Sequence, residues 1–307
     1  MIENTIIIGS GPAGLSAALY TAREGFSPLV IAGINEGGQL LLTTKVENYP
    51  GFPDGIDGPE LIDLMRKQAE KHGARFLHDA VTNLDLGSKP FKVYTGNGQL
   101  HETKSLILAT GADSMWLGIE SEKKFIGKGV SSCATCDAPF FKGKDVVVVG
   151  GGDTAMEDSL FLTKFANSVT IIHRRDAFRA SKIMQERVLS NSKIKVLWNS
   201  TVEEVLGNSK VSGVRIKNRE GALIEIKTDG IFVAIGHKPN TEILKGKLKL
   251  DEKGYAVVRN LVETDVPGVF IGGDMADAIY RQAVTAAGTG TMCALKVREY
   301  LQNEGSE

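Results

Sequence analysis

Two cysteines separated by two residues, Cys133 and Cys136, have the most distinctive chemistry in this chain. A Cys-x-x-Cys pair can close into a small disulfide loop whose thiolates are activated by their surroundings. Asp137 follows at once, and an acid beside a dithiol can deliver or accept the proton that thiol chemistry requires. The alternatives are two inert buried thiols, and an acid that only caps a helix or lies in a loop. The pattern favours a redox-active disulfide with an acid/base partner.

The cysteine and histidine positions argue against a metal site. A structural zinc site needs two ligands beyond the Cys-x-x-Cys pair. The third cysteine, Cys293, is remote in a stretch with helical, apolar character, and none of the five histidines lies near enough in sequence to complete a ligand pattern. We therefore expect no metal, and we interpret Cys293 as a core thiol.

A glycine-rich turn near the N-terminus could bind a dinucleotide. Gly9, Gly11 and Gly14 follow the apolar strand predicted at residues 5–8 and open a predicted helix. In such a turn the first glycine permits the tight bend and the second lets a pyrophosphate approach the backbone. The third allows the helix to pack closely on the strand. The helix N-terminus then faces the phosphates; the alternative is a structural glycine turn.

A second glycine turn of the same kind occurs in the middle of the chain. Gly150, Gly152 and Ala155 follow a valine-rich strand at residues 145–149 and precede a predicted helix. A near-continuous apolar strand is typical of a parallel sheet that is buried on both faces. The two halves are therefore imperfect repeats of one βαβ architecture, and the predicted fold is α/β with two Rossmann-like dinucleotide-binding domains.

The two repeats differ at the end of the strand that follows each glycine turn. The strand at residues 28–32 ends without the acidic residue that commonly binds a ribose hydroxyl, and Glu36 comes several residues late. The corresponding basic cluster in the second half consists of His173, Arg174, Arg175 and Arg179. Guanidinium groups at this position accommodate a 2′-phosphate, so the second site should prefer NADPH to NADH. The alternative is a solvated basic turn.

Length and composition indicate a globular protein of two domains. The chain has 307 residues, of which 42% are hydrophobic, 24% are charged and 35 are glycine. Its formal net charge of -1 gives no field to attract nucleic acid or an anionic membrane. The apolar stretches are too short for a membrane span, and the run at residues 5–8 lacks the flanks of a signal peptide. Three cysteines do not make a secreted disulfide framework, so we expect a reducing cytoplasm.

Taken together, these motifs closely resemble the low-molecular-weight thioredoxin reductases of the pyridine nucleotide-disulfide oxidoreductase superfamily, over essentially the whole chain. The most specific pieces are the dithiol with Asp137, the second glycine turn and its basic cluster. Further matches lie at residues 37–40, 46–51, 109–111, 272–274 and 280–283.

The resemblance implies FAD in the first domain and NADPH in the second. For FAD, the residues matching the pyrophosphate loop are Gly9, Ser10, Gly11, Pro12, Ala13 and Gly14. Those on the adenosine side are Ala32, Gly33, Gly38, Gln39 and Leu40. Those toward the ribityl and flavin end are Asn48, Asp274, Arg281, Gln282 and Ala283. For NADPH they are Gly152, Asp153, Thr154, Ala155, His173, Arg174, Arg175 and Arg179. The remaining cofactor-binding candidates are Val81, Ala109, Thr110, Gly111, Ile235, Gly236 and Gly273.

The resemblance also implies the domain order and the reaction. Residues 1–114 and 245–307 would form the FAD-binding domain, and the NADPH-binding domain at residues 115–244 would be inserted into it. Electrons would pass from NADPH through FAD to the Cys133–Cys136 disulfide and then to oxidised thioredoxin. Cys136 would face the flavin, Cys133 would attack the protein substrate, and Asp137 would act as acid/base. A homodimer is implied as well.

Three other functions compete with this interpretation. A ferredoxin- or flavodoxin-type NADP reductase would not need the dithiol. A flavin-dependent dithiol oxidase would pass its electrons to oxygen and would not need the basic cluster. A non-catalytic nucleotide-sensing or scaffold protein would need neither an intact dithiol nor two intact dinucleotide sites.

Overall fold

The structure of the protein is a computed structural model that describes residues 2–34, 36–42 and 45–304. The first elements in chain order are β1 (Ile2–Ile8), α1 (Pro12–Arg23), β2 (Leu29–Ile31), β3 (Lys45–Val46), β4 (Ile56–Asp57), α2 (Gly58–Lys71), β5 (Arg75–Leu77), β6 (Val81–Asp85), β7 (Phe91–Thr95), β8 (Leu100–Leu108) and β9 (Ala112–Ser114). The middle elements are α3 (Glu120–Phe125), β10 (Val130–Ser131), α4 (Ala134–Asp137), β11 (Asp145–Gly150), α5 (Asp153–Leu162), β12 (Ser168–Ile172), α6 (Lys182–Leu189) and β13 (Ile194–Leu197). The last elements are β14 (Thr201–Gly207), β15 (Val211–Lys217), β16 (Leu223–Lys227), β17 (Gly230–Ala234), β18 (His237–Pro239), β19 (Val269–Ile271) and α7 (Ala283–Glu304). Short 3-10 helices occupy Gly38–Leu42, Ala138–Phe141 and Glu242–Leu244.

The chain forms two compact units. Unit 1 consists of Met1–Asp113 and Lys238–Glu307, and unit 2 is the continuous segment Ser114–His237. The domain predicted from the sequence ends at residue 244, whereas unit 2 ends at His237. In the structure Asn240 already belongs to unit 1, because its backbone N–H donates to the Gly111 carbonyl at 3.0 Å.

Unit 1 is built on a seven-stranded sheet in the order β5-β2-β1-β8-β7-β6, with β19 also paired to β8. The pairs among β5, β2, β1, β8 and β19 are parallel, whereas β6, β7 and β8 pair in antiparallel fashion. Successive residues of β1 alternate between two apolar cores. Ile6 and Ile8 pack on one face of the sheet, and Ile7 packs on the other face beneath α1 and α7.

The contact between α1 and α7 depends on small residues. Ala17, Ala18 and Ala22 of α1 are buried in the same core as Val297 of α7. A Cβ placed on Gly290 would overlap the backbone of Ala13, so only glycine permits this approach. The C-terminal helix therefore completes the fold around the first glycine turn.

Unit 2 has a five-stranded parallel sheet in the order β10-β17-β11-β12-β13. Val146 and Val148 of β11 pack in the core that contains α5, while Val147 and Val149 pack in a second core on the opposite face. The second core is closed by an antiparallel sheet, β14-β15-β16, which contributes Val214 among other side chains. Both faces of the valine-rich strand are therefore buried, as its composition predicted.

The α/β class with two Rossmann-like units is confirmed. The helices predicted after the two glycine turns correspond to α1 and α5. The antiparallel sheet of unit 2 was not predicted, because its strands have weak local signals and are stabilised by burial against β11. No helix in the described part of the chain is long and apolar enough to cross a membrane.

Candidate functional site

The dithiol lies on the short helix α4 of unit 2. Cys133 precedes the helix in an extended conformation, Cys136 lies within it, and the two are joined by a disulfide with their Cα atoms 5.3 Å apart. Ala134, which lies between the two cysteines, and Ala138, which follows them, are almost completely buried in the core that contains α5. Because these two small residues fix the segment, the disulfide itself stays half-buried and the intervening Thr135 stays exposed.

Asp137 ends this helix and is partly buried. Its backbone N–H donates to the Cys133 carbonyl at 3.1 Å. Burial raises the pKa of the Asp137 carboxyl above its usual value, and a side-chain hydrogen bond with Ser131 partly opposes that increase. A carboxyl with a raised pKa retains its proton closer to neutral pH, as a general acid beside a dithiol requires.

Ser131 was not among the residues singled out in the sequence. It ends strand β10 with a side chain that is only 7% exposed. Its hydroxyl oxygen accepts a hydrogen bond of 3.0 Å from the Cys133 backbone N–H. A serine two residues before a Cys-x-x-Cys is a weak sequence signal, so its hydrogen bond with the Cys133 backbone is visible only in the folded chain.

The first glycine loop leaves the N-terminus of α1 open. A Cβ at Gly9 would overlap the Ala109 carbonyl oxygen, and one at Gly14 would overlap the Gly9 carbonyl oxygen. At Gly11, by contrast, a Cβ would meet no atom within 4 Å, and this residue gives α1 no side-chain cap. Pro12 occupies the first turn of the helix. The loop therefore combines two close backbone approaches with an open surface and uncapped N–H donors, which fits a pyrophosphate.

Ser10 connects this loop to the end of β2. Its hydroxyl donates to the Ala32 carbonyl at 2.7 Å and accepts from the Gly37 N–H at 2.9 Å. The late acid, Glu36, forms an ion pair with Arg66 and a 2.9 Å contact with Nδ1 of His78. The expected adenosine segment thus lies against the first glycine loop, with the Glu36 carboxylate held by neighbouring side chains.

A cavity of about 270 Å³ opens beside this loop within unit 1. Four predicted cofactor-binding residues line it, namely Gly9, Gly33, Val81 and Thr110. Asn240, which the sequence did not single out, lines it as well, and its side-chain amide donates to the Thr110 carbonyl at 3.1 Å. Residues from five separated parts of the sequence therefore converge on one cavity.

The other adenosine-side candidates lie on the short helix after this segment. Gly38 approaches Gly11, since a Cβ added to Gly38 would lie 3.9 Å from the Gly11 Cα. The Gln39 side-chain amide donates to Oδ1 of Asp113 at 2.9 Å. Leu40 packs against the small core beneath β3 and β4, so its side chain has apolar neighbours within the protein.

Asp274 presents a buried oxygen without a partner. Its Oδ1 has no hydrogen-bond partner among the described residues. Burial, followed by the charge of Asp277, raises the pKa of Asp274 to about 6, while Arg281 opposes the increase. An unpaired buried carboxylate is costly. The hydroxyl groups of a ribityl chain are donors of the kind that this oxygen lacks, so the residue fits a flavin nucleotide.

The residues around Asp274 converge from two regions of unit 1. Gly273, with a φ of +78°, lies where a Cβ would come within 2.9 Å of the Ala13 Cβ, so the two glycine-rich segments pack directly together. The Asn48 amide donates to Oε1 of Gln282 at 3.2 Å, and Ala283 begins α7. The structure thus brings together the candidates that the sequence placed at the ribityl and flavin end.

The second glycine loop has the same construction as the first. A Cβ at Gly150 would overlap the Ala234 carbonyl oxygen, whereas one at Gly152 would meet no atom within 4 Å. No side chain caps α5 at Gly152. The Asp153 carboxylate accepts hydrogen bonds of 2.9 Å from both the N–H and the hydroxyl of Ser181. The loop is therefore open at the helix N-terminus and anchored at its side.

The basic cluster has one inward and three outward members. His173 is 5% exposed, its ring lies against Gly151, and Nε2 is 3.0 Å from the Ala177 carbonyl oxygen. Burial lowers the pKa of this histidine, and the nearby arginine charges lower it further. The outward members, all exposed and without a carboxylate partner among the described residues, are Arg174, Arg175 and Arg179.

The arginines and the glycine loop belong to one surface. The Arg179 backbone N–H donates to the Gly151 carbonyl at 2.8 Å, which holds the basic segment beside the loop. Thr154 and Ala155 begin the helix behind it, and Ala155 is fully buried. On the same unit, Ile235 and Gly236 follow β17, and the Gly236 carbonyl accepts from the Met115 N–H at 2.9 Å. The surface combines uncapped helix donors with unpaired guanidinium groups.

The third cysteine, Cys293, is a free thiol in the protein interior. Cys293 is completely buried, and burial raises the pKa of its thiol, which makes it unreactive. No group of three or more potential metal ligands occurs among the described residues. In this part of the chain the cysteine chemistry therefore resides in the disulfide.

Comparisons with known proteins agree with this arrangement. A family model described as pyridine nucleotide-disulphide oxidoreductase matches residues 3–290. A thioredoxin reductase of Rickettsia conorii (strain ATCC VR-613 / Malish 7) is 51% identical over 301 residues, which cover 96% of this chain and 97% of that protein.

Solved structures give the same result. The crystal structure of thioredoxin reductase from Streptococcus pyogenes MGAS5005 has a TM-score of 0.94 at 39% identity, covering 98% of this chain and 99% of that one. Thioredoxin reductase from Giardia duodenalis has a TM-score of 0.93 at 41% identity, covering 97% and 98%. The chain therefore belongs to the pyridine nucleotide-disulphide oxidoreductase family and, within it, to the thioredoxin reductases.

Proposed function

We propose that this protein is an NADPH-dependent flavoprotein that reduces oxidised thioredoxin through FAD and its own Cys133–Cys136 disulfide. The observation that carries the proposal is this disulfide, which lies beside a partly buried acid in the same compact unit as the second glycine loop. Relatives named thioredoxin reductase at 39% to 51% identity support the assignment. Family membership supports the use of a flavin and a pyridine nucleotide.

We assign FAD to the discontinuous domain formed by residues 1–114 and 245–307. Three features of unit 1 support this choice: the open backbone at Gly11, the adjoining cavity and the unpartnered oxygen of Asp274. The pyrophosphate would accept from the uncapped N–H groups of α1. The ribityl hydroxyls would donate to the Asp274 carboxylate.

We assign NADPH to the domain at residues 115–244. The open backbone at Gly152 would receive the pyrophosphate in the same way. Arg174, Arg175 and Arg179 would bind the 2′-phosphate, since an exposed guanidinium without a carboxylate partner is free to form charge-assisted hydrogen bonds. His173 would support this loop from within, in keeping with its buried ring.

The residues of the chain account for the dithiol chemistry. When bound, the two cofactors supply a two-electron transfer that ends at the dithiol. Opening the Cys133–Cys136 disulfide consumes two electrons and two protons, and we assign delivery of one of these protons to Asp137. Cys136 is assigned as the flavin-side sulfur and Cys133 as the sulfur that exchanges with the protein substrate.

The exchange with thioredoxin balances as follows. The Cys133 thiolate attacks the thioredoxin disulfide, which forms a mixed disulfide and releases one thioredoxin thiolate. The Cys136 thiolate then attacks the Cys133 sulfur, releasing the second thioredoxin thiolate and restoring the starting disulfide. Each released thiolate takes up one proton, which balances the one proton that Cys133 and Cys136 each lose on becoming a thiolate. Thioredoxin is thereby reduced by two electrons, and the protein returns to the form seen in the structure.

Electron flow through the relay can be followed by the colour of the flavin. NADPH added without oxygen should bleach the flavin of the purified protein, and oxidised thioredoxin should then restore its colour. Cys136→Ser should bleach but should not recover, because the sulfur that accepts electrons is absent. The measurement is visible absorbance during sequential anaerobic additions, with Cys293→Ser as the matched control that should behave as wild type.

Other results of this experiment would redirect the assignment. Bleaching without recovery in the wild type would retain the reaction with NADPH but contradict thioredoxin as the acceptor. An absence of bleaching would contradict NADPH as the donor and favour a dithiol oxidase that passes its electrons to oxygen.

The arginine assignment predicts a change in nucleotide preference. Replacing Arg174 and Arg175 by alanine should raise KM for NADPH about 30-fold, since lost charge-assisted hydrogen bonds cost about 2 kcal/mol. KM for NADH, which has no 2′-phosphate, should change much less. Steady-state kinetics with both nucleotides measure the difference, and Arg219→Ala, an exposed arginine on the β15–β16 turn, is the control. Equal effects on both nucleotides would contradict the assignment.

Asp274 predicts a pH-dependent affinity for FAD. The ionised carboxylate accepts from ribityl hydroxyls better than the protonated one, and its pKa in the free site is about 6. FAD affinity should therefore fall as pH drops from 7 through 6 toward 5. Asp274→Asn should bind FAD roughly 10- to 100-fold more weakly at pH 7, as expected for loss of a hydrogen bond to a charged group. It should also lose this pH dependence.

Titration of the flavin-free protein with FAD, followed by flavin fluorescence at several pH values, measures both effects. Asp54→Asn, at an exposed turn acid, is the control and should match the wild type. If Asp274→Asn retained the wild-type pH dependence, a different group would be responsible for it.

We further propose that the protein is a homodimer that operates in the cytoplasm, the reducing compartment indicated by its few cysteines. A groove of about 500 Å³ on unit 1 lies between α1, α2 and α7. Tyr20, Leu64 and Val284 line it and are 41% to 44% exposed. Partly exposed aromatic and aliphatic side chains around one groove are typical of an interface core.

The groove predicts where dimer formation can be blocked. Leu64→Glu should place a charge in a desolvated interface and convert dimers to monomers. Leu223→Glu, at a leucine that is 62% exposed on β16, should leave the dimer intact. Sedimentation velocity of the flavin-loaded protein distinguishes the species, and a dimeric Leu64→Glu variant would place the interface elsewhere.

A further inference from the structure

The segment that carries the outward arginines is tied at one end to the second glycine loop. This arginine segment, residues 174–180, joins β12 to α6. The Arg179 backbone N–H donates to the Gly151 carbonyl at 2.8 Å. Just beyond the segment, the N–H and the hydroxyl of Ser181 both donate to Oδ1 of Asp153, each at 2.9 Å. Three hydrogen bonds therefore hold the backbone around Arg179 on the loop that begins α5.

Packing also fixes the backbone on both sides of Arg179. Phe178 is 7% exposed, and its ring centroid lies 4.3 Å from that of Trp198. On the other side, Ala180 is 6% exposed. The Arg179 side chain is nevertheless exposed, whereas the other two arginines lie in the continuous exposed run 174–177. Arg179 is therefore the arginine of the segment whose two neighbours in sequence are both buried.

Ser181 directs its hydroxyl to Asp153 rather than to its own helix. Ser181 is the N-cap residue of α6, where a serine oxygen commonly accepts a hydrogen bond from a backbone N–H of the first turn. No side-chain cap is formed at this position, and such a cap ordinarily stabilises a helix. The hydroxyl instead joins the start of α6 to the start of α5, two elements that are distant in sequence.

The charge of Asp153 is unfavourable for direct contact with a phosphate. Asp153 begins α5 directly after Gly152, where the backbone is open. A carboxylate repels a pyrophosphate bound at this position. Its Oδ1, however, accepts both donors of Ser181. These two bonds give the acid a role in holding the arginine segment rather than in touching the nucleotide.

We propose that Asp153 and Ser181 are positioning residues for nucleotide selection, which hold the arginine segment on the second glycine loop so that Arg179 meets the 2′-phosphate in a fixed orientation. This inference rests on the proposed NADPH site. Because the segment is already ordered, less conformational entropy is lost when the phosphate binds. This advantage applies to the nucleotide that carries a 2′-phosphate and not to the one that lacks it.

The test compares NADP⁺ and NAD⁺ binding to the oxidised, flavin-loaded protein by isothermal titration calorimetry, which requires no turnover. Asp153→Ala should weaken NADP⁺ binding about tenfold, the cost of ordering roughly one long side chain on binding, and should change the affinity for NAD⁺ much less. Ser181→Ala retains the backbone N–H and should have a smaller effect of the same kind. Glu157→Ala, at an exposed acid one turn later in α5, and Ser190→Ala, at the other end of α6, are the controls and should match the wild type.

An asparagine at position 153 separates the hydrogen bonds from the charge. Both Ser181 donors reach the same oxygen of Asp153. Asp153→Asn removes the negative charge but retains one carbonyl oxygen that can accept both bonds. This variant should therefore keep the wild-type preference for NADP⁺. If it lost the preference as fully as Asp153→Ala, the charge rather than the hydrogen bonds would be responsible, and the proposal would be overturned.

A double-mutant cycle tests whether Asp153 acts through Arg179. Arg179→Ala alone should weaken NADP⁺ binding. Once this guanidinium is absent, adding Asp153→Ala should weaken the binding little further, because both substitutions remove the same interaction. Fully additive effects would show that Asp153 acts independently of Arg179 and would overturn the proposal.

Hydrogen exchange of the ligand-free protein gives a readout that does not depend on the nucleotide. Asp153→Ala should speed amide exchange in the peptide that covers residues 178–182, because the Ser181 N–H loses its acceptor. Asp153→Asn should exchange like the wild type there. Unchanged exchange in Asp153→Ala would contradict a role of Asp153 in holding the segment.

Failure of the proposed function would give a different pattern. Equal wild-type affinities for NADP⁺ and NAD⁺ would contradict the NADPH site, and the inference would fall with it. A wild type that prefers NADP⁺, together with an Asp153→Ala variant that keeps the same preference, would overturn the positioning role alone.

Discussion

Both glycine loops depend on one steric constraint, which is that the backbone must pass where no Cβ fits. At Gly9 and Gly150 the chain lies against a carbonyl oxygen at the end of a neighbouring strand, and any side chain would overlap it. These close approaches bring each strand directly into the helix that follows. The helix therefore starts with uncapped N–H groups that face open space at Gly11 and Gly152. Close packing and the open N–H donors thus result from the same absence of side chains.

In unit 2 this constraint also affects the dithiol. Ala155 begins α5 behind the glycine loop and is buried in the same core as Ala134 and Ala138, which flank the disulfide. The second glycine loop and the disulfide segment are therefore supported by one set of apolar contacts.

Burial of acids is the second recurring feature, and the two cases differ in their partners. Asp274 has an oxygen with no partner in the described chain, so its charge is destabilising until a donor arrives. Burial also raises the pKa of Asp137, and there a side-chain hydrogen bond with Ser131 opposes the increase. At both positions burial favours the protonated form of the carboxyl.

Most of the fold class and the main motifs could be predicted from the sequence, because they depend on local spacing. The glycine turns, the valine-rich strand and the Cys-x-x-Cys pair each carry their signal within a few residues. The antiparallel sheet of unit 2 could not be predicted, because its strands are stabilised by a core that forms only when distant segments meet. The same reason applies to the inward ring of His173, the pairing of Asn240 with Thr110 and the hydrogen bond from the Cys133 N–H to Ser131. Local spacing thus indicated which chemistry the chain could perform. Long-range packing decided which side chains surround each reacting group, because burial and hydrogen bonding are properties of the assembled tertiary structure rather than of any short segment.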